Sequence, residues 1–108
     1  MSLEEYAQLP SMQDVLDAIS SPRRRRILRL VWERELSAGD IAAQFDVSWP
    51  AISQNIGVLR KAGLVTERRE ANRRFYRADQ QALGSLRPAL REMWAMDLDR
   101  LRSVVEDK

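Results

Sequence analysis

No cysteine and no histidine occurs anywhere in these 108 residues. Their absence removes disulfides, thiolate metal sites, and the imidazole that most zinc sites and most nucleophile–base pairs require. Only carboxylates remain for hard cations, and no acid pair sits in a pocket-like context. Nothing in the chain points to catalysis, a metal or any other cofactor. Long apolar runs are missing as well: no stretch approaches the roughly 20 residues that a membrane-spanning helix needs. The opening MSLEEYAQLP lacks the basic-then-apolar layout of a secretory leader. The expectation is a cytoplasmic, non-enzymatic protein with no membrane association.

What is present is a 44% hydrophobic, 31% charged chain, ordinary for a folded globular protein and sized for one domain with one modest core. The net charge of +2 hides a strong asymmetry. Residues 1–20 carry four acids and no base; residues 21–77 carry thirteen bases against six acids; residues 78–108 carry five bases against six acids. A basic centre between acidic or neutral ends suits a module that binds a polyanion.

Helix-start signals recur along the chain. Ser11 precedes an apolar stripe of Met12, Val15, Leu16 and Ile19, with Asp14 in the third position of a capping box. Ser21-Pro22 opens a second helix predicted to run to about Arg34. Ser37 opens a short third one, SAGDIAAQF, and after the tight turn FDVS, Ser48 opens a fourth that ends at Gly63. The period then changes to that of strands: LVTERRE and RRFYRA flank Ala71-Asn72, where Asn can take the positive φ of a tight hairpin. Residues 79–107 return to helix, with Pro88 starting the helix proper after a turn or short helix. Their apolar series, Leu83, Leu86, Leu90, Met93/Trp94, Leu98, Leu101 and Val104/Val105, is spaced about 3.5 residues apart.

Helix, tight turn, helix and basic hairpin is the order of a winged helix-turn-helix, whose second helix enters the DNA major groove. The fold class is therefore mainly α with a small β-hairpin wing: four helices, two strands and a fifth helix. One domain spans residues 1–108, with the helix-turn-helix at 37–62, the wing at 64–78 and a C-terminal dimerisation helix at about 86–107. Because Ile52, Ile56 and Leu59 face inward, the outward face of the fourth helix offers Ser48, Trp49, Ser53, Gln54, Asn55, Arg60 and Lys61. Gln and Asn can bond adenine in bidentate fashion, and Arg or Lys suits guanine or phosphate. Trp49 can either touch a thymine methyl or the backbone, or pack against the turn near Phe45 or Val47. The hairpin adds Arg68, Arg69, Arg73, Arg74 and Arg77; Arg69, Arg73 and Arg74 are the expected clamps on phosphate or the minor groove.

The stretch SPRRRRILRL…LSAGDIAAQFDVSWPAISQNIGVLRKAGLVTERREANRRFYRAD resembles the ArsR/SmtB family of winged-helix repressors, across roughly residues 12–80. The resemblance implies a homodimer joined by its first and last helices, with two recognition helices meeting successive major grooves of an inverted-repeat operator. It also implies a repressor of transcription, often of its own operon, released by an effector that the sequence does not identify. Members that sense metals use a Cys pair on the helix here spanning 38–45, or Asp, His and Glu on the last helix. This chain has Asp97, Asp99 and Glu106 but neither Cys nor His, so neither site carries over and no metal is expected. In the recognition helix, Trp49 stands where a small polar residue is usual, Asn55 replaces a common His, and Gly57 a common Lys or Arg. Gly57 suggests close approach of its backbone to DNA or to another helix.

An apolar stripe as long as that of the last helix exceeds what a small domain covers alone. Leu16, Ile19, Leu90, Trp94, Leu98 and Leu101 are accordingly expected at a dimer interface. The partners expected are double-stranded DNA and a second copy of the chain. The alternative is a winged helix that docks an acidic protein partner without reading DNA. The run Arg23–Arg26 looks like a phosphate grip, yet at about 100° per residue its members point in different directions. Arg24 falls in line with Leu28 and Val31 and should be structural; Arg26 falls on the outer face with Arg29. Arg23 and Arg25 flank them, and at most one of these two should touch DNA.

Overall fold

The computed structural model describes residues 2–4 and 11–106, with side chains described as far as Arg100. Four serines open the helices that build the body. Helix α1 (Met12–Ile19) begins with the full capping box: Ser11 Oγ accepts from the Asp14 N–H at 3.0 Å while the Asp14 carboxylate accepts from the Ser11 N–H at 3.4 Å. Helices α2 (Pro22–Leu30), α3 (Ala38–Ala42) and α4 (Trp49–Lys61) start on Ser21, Ser37 and Ser48, each hydroxyl accepting the backbone N–H three residues on. Each such cap is worth on the order of 1 kcal/mol.

Helix α4 ends where glycine requires it. Gly63 has φ of 76°, its N–H reaches the Arg60 carbonyl, and the Leu64 N–H reaches back to Leu59, both at 3.0 Å. This is the paired bonding of a Schellman motif, and it turns the chain directly into the sheet.

The sheet has three antiparallel strands in the order β1-β3-β2: β1 (Leu36–Ser37), β2 (Val65–Glu70) and β3 (Arg73–Ala78). The two-residue strand β1 was not foreseen in the sequence. It accompanies a second correction: α2 stops at Leu30 rather than near Arg34. The Val31 carbonyl accepts the Ala78 N–H at 2.9 Å, and the Trp32 carbonyl accepts Gln80 Nε2 at 2.6 Å. Those carbonyls tie the chain to the end of the sheet instead of prolonging the helix. At the hairpin tip the positive φ, 55°, belongs to Ala71 and not to Asn72.

After a one-turn helix α5 (Gln80–Leu83), capped by Asp79, and a 3-10 turn at Gly84–Leu86, the long helix α6 runs Arg87–Glu106. One core joins these elements. Ile19 of α1, Ile27 and Leu28 of α2, Ile41 of α3, Ile52 and Leu59 of α4, Leu64, Leu83, and Leu90 of α6 are all essentially inaccessible to water. Burying an aliphatic side chain of this size contributes about 1.5–3 kcal/mol. The shared burial fixes α4 against α2 and α3 and leaves one side of α4 free.

Candidate nucleic-acid interface

The free side of α4 carries Ser53, Gln54, Arg60 and Lys61, all exposed, while Ile52, Ile56 and Leu59 fill the core beneath. Ser48 is exposed at the cap, and Trp49 follows it with 51% of its surface accessible. A cleft of about 560 Å³ separates α3 and the start of α4 from the hairpin tip; Trp49, Ser53, Gly57, Arg60, Arg73 and Arg74 all line it. A Cβ at Gly57 would meet open space, with nothing within 4 Å. No neighbouring helix crowds that glycine, which corrects one of the two reasons expected for it.

Asn55 is placed differently from the rest of the helix face. Its Oδ1 accepts from Arg24 Nη1 at 3.2 Å and its Nδ2 donates to the Ala51 carbonyl at 2.7 Å. Both ends of the amide are engaged within the protein, so Asn55 pins α4 to α2 rather than presenting a free amide outward.

The hairpin register sorts its charges onto two faces, because side chains alternate along a strand. Arg69 pairs across with Arg74, and Glu67 with Tyr76, which puts Glu67, Arg69 and Arg74 on the same face. Two arginines directly opposite would repel. Glu67 relieves this: its carboxylate accepts from Arg69 Nε at 3.2 Å, lies 3.7 Å from Arg74 Nε, and also bonds Arg60 of α4. Burial acts to raise the Glu67 pKa, but the hydrogen bonds from Arg69 and Arg60 outweigh it and hold the carboxyl below its ordinary value. On the opposite face Arg68 and Arg73 stack on the Phe75 ring, at 4.7 and 5.0 Å. Arg68 also forks onto Glu35 at 2.6 Å. Sequence reasoning missed both Glu67 and Glu35, since an acid within a basic run shows its partners only once register is known.

The arginine run on α2 divides otherwise than expected. Arg24 is structural, as its position implied: Nε donates to the Ala18 carbonyl at 2.7 Å and Nη2 to that of Asp17 at 2.8 Å. Arg25, placed on a flank and treated as a possible DNA contact, is instead the buried one, with 8% of its surface accessible. It lies in line with the buried Leu28, at the i, i+3 spacing of one helix face. Its guanidinium forks onto Asp97 at 2.8 and 3.0 Å and donates to the Ile19 carbonyl at 2.8 Å. The hydrogen bond from Arg25 holds the Asp97 carboxyl below its ordinary value of 3.8, against the opposing effect of burial. Arg26 is exposed, lies over the Phe45 ring at 4.6 Å and donates to the Gln44 carbonyl at 2.9 Å.

The residues expected to join two copies separate into two groups. Ile19 and Leu90 are wholly consumed by the chain's own core. Trp94 is half-buried there too, meeting Trp32 edge-on at 5.2 Å and donating from Nε1 to the Arg25 carbonyl at 2.8 Å. Leu16 and Leu98 remain 45% accessible, and Met12 at 59% and Met96 at 57% accompany them on α1 and α6. The side chain of Leu101 lies outside the described residues. Among the described residues no helix is long and apolar enough to cross a membrane.

A capped helix with an exposed polar face beside an arginine-bearing wing defines a winged helix-turn-helix DNA-binding regulator of transcription. Residues 21–67 match the model for "Bacterial regulatory protein, arsR family", and the chain belongs to that family. It is 38% identical over 65 residues to the transcriptional repressor SdpR of Bacillus subtilis, covering 60% of this chain and 72% of that protein. It is 36% identical over 77 residues to the transcriptional activator HlyU of Vibrio cholerae, covering 70% and 71%. Among solved structures, a possible transcriptional regulator for arsenical resistance superposes with a TM-score of 0.65 at 41% identity, covering 83% of this chain and 94% of that one.

Proposed function

We propose that the chain is a cytoplasmic homodimeric repressor that binds an inverted-repeat operator and responds to a small-molecule effector. The observation that carries this reading is the exposed row Ser53, Gln54, Arg60 and Lys61 on α4, set beside Arg69, Arg73 and Arg74 of the wing. Ser53 and Gln54 read base edges, with Trp49 contacting a thymine methyl or the sugar-phosphate backbone. Ser48, Arg60, Lys61 and the three wing arginines hold phosphate and set register. Asn55 acts indirectly, keeping the angle of α4 through Arg24. Residues 1–108 form one domain in this reading.

Dimerisation uses apolar residues that the core leaves over and that lie outside the cleft between α2 and α6: Met12 and Leu16 on α1, with Met96 on α6. Ile19, Leu90 and Trp94 support that face from beneath. An arrangement with two-fold symmetry doubles the footprint and matches a palindromic site. Repression is favoured over activation by the B. subtilis relative's name, although the V. cholerae relative is named an activator. Selection of bound fragments from a genomic library tests the whole reading. An enriched inverted repeat with half-sites about one helical turn apart supports it; retention of no fragment at low salt contradicts it.

A further inference from the structure

We propose that the cleft between α2, the turn joining α3 to α4, and α6 binds an amphipathic organic anion. The cleft is about 810 Å³, within the range of small-molecule sites. Its floor is apolar, with Leu30, Phe45, Val47, Trp94 and Leu98. Its rim is cationic: Arg23, Arg26 and Arg29 project from one face of α2, joined by Arg34 and by Arg100 of α6.

Charge complementarity selects the occupant. Five guanidinium groups face two carboxylates, Asp46 and Asp97, and Asp97 is already held by Arg25. The side chains of Arg23, Arg29 and Arg34 make no hydrogen bond or ion pair among the described residues. Arg26 is fixed in place by Phe45 and the Gln44 carbonyl. An apolar body against the floor, with a carboxylate or sulfonate at the rim, satisfies both halves of the cleft. A neutral ligand leaves the guanidinium groups unmatched.

The position suggests a consequence. Asp46 and Val47 immediately precede Ser48, the cap of α4, while Trp94 and Leu98 belong to α6. A ligand in the cleft bridges the recognition helix and the last helix, so its affinity and that for operator are linked. This consequence, unlike the binding itself, rests on the regulator reading proposed above.

The probe is 1-anilinonaphthalene-8-sulfonate, titrated by fluorescence into the DNA-free protein, with the uncharged N-phenyl-1-naphthylamine beside it. Expected are saturable binding at one site per protomer, weaker binding of the neutral dye, and amide shifts centred on Phe45–Val47 and Leu98. Arg29→Ala with Arg34→Ala should weaken sulfonate binding about tenfold or more, with thermal unfolding unchanged; Arg91→Ala, exposed elsewhere on α6, should leave binding intact. Non-saturable binding, equal binding of the neutral dye, indifference to the double substitution, or shifts on α1 and Met96 instead would each overturn the site. So would loss of dye binding as protein concentration rises through dimerisation, which would show a second copy filling the cleft. Addition of the sulfonate to protein bound to a selected operator fragment should change its retention for the wild type and not for the double variant. Dye binding without any DNA binding defeats the regulator reading alone, and intact DNA binding without dye binding defeats the site alone.

Discussion

Two arginine-rich stretches of this chain have opposite fates. Residues 23–26 put four guanidinium groups on successive positions of α2, and the helix scatters them: Arg24 and Arg25 are consumed by backbone carbonyls and Asp97, while Arg23 and Arg26 stay outside. Residues 68–74 put four arginines on a hairpin, where alternation and cross-strand pairing gather Arg69 and Arg74 on one face around Glu67. Composition alone ranks the α2 run as the more basic segment. Backbone geometry turns half of that run into scaffold, and the function proposed above gives the polyanion to the hairpin and α4 instead.

The largest effect should come from breaking the scaffold half of this comparison. Asp97→Ala strands the buried Arg25 guanidinium and should lower the unfolding free energy by about 2–3 kcal/mol. A fully buried pair typically costs roughly 3–5 kcal/mol to break, and Asp97 keeps 25% of its side chain accessible. Denaturant unfolding reads this directly. The same pair predicts acid sensitivity: the folded Asp97 pKa lies below 3.8, so its contribution is complete well above that value. It drains away as pH falls through the folded pKa, and the difference between wild type and Asp97→Asn should shrink over that interval.

Next in size are substitutions on the reading half. Gln54→Ala should cost about 1–3 kcal/mol at one operator position and little on random DNA, whereas Arg73→Ala should weaken all sequences alike and lower the salt slope by about one per protomer. Equal losses on operator and random DNA for Gln54→Ala would remove its reading role. Glu67→Gln should act less strongly and in a distinctive sense. It frees Arg60, Arg69 and Arg74 from their shared acceptor, so affinity for random DNA should rise severalfold while the operator-to-random ratio falls. A rise in that ratio would contradict the holding role of Glu67. Smallest of all, Arg26→Ala removes an exposed stacking contact and should change stability by no more than about 1 kcal/mol, with operator affinity unaltered.

Much of this was legible from local pattern. The four serine caps, the Schellman glycine, the hairpin and the inward positions of α4 depend on neighbours within a few residues, and the structure places them as expected. The structural role of Arg24 was legible too, from helical periodicity alone. What stayed hidden depends on distant partners. Arg25 meets Asp97 across 72 positions and Arg24 meets Asn55 across 31, so neither pairing leaves a local trace. Just past the early end of α2, the Val31 carbonyl is taken by the Ala78 N–H of β3 and that of Trp32 by the Gln80 side chain, partners more than 45 positions away. Ile19 and Leu90 fit an exposed apolar stripe as well as a buried one, and only the packing of α6 on the body distinguishes the two.

The central claim, that α4 and the wing carry recognition while the α2 run does not, is tested most directly by two matched double substitutions. Fluorescence anisotropy on a selected operator fragment would compare Arg73→Ala/Arg74→Ala with Arg23→Ala/Arg26→Ala, each at several salt concentrations. The wing pair should lose at least about tenfold in affinity and reduce the salt slope by about two per protomer, while the α2 pair stays within about threefold of wild type with its slope intact. A larger loss of affinity and slope in the α2 pair than in the wing pair would contradict the account.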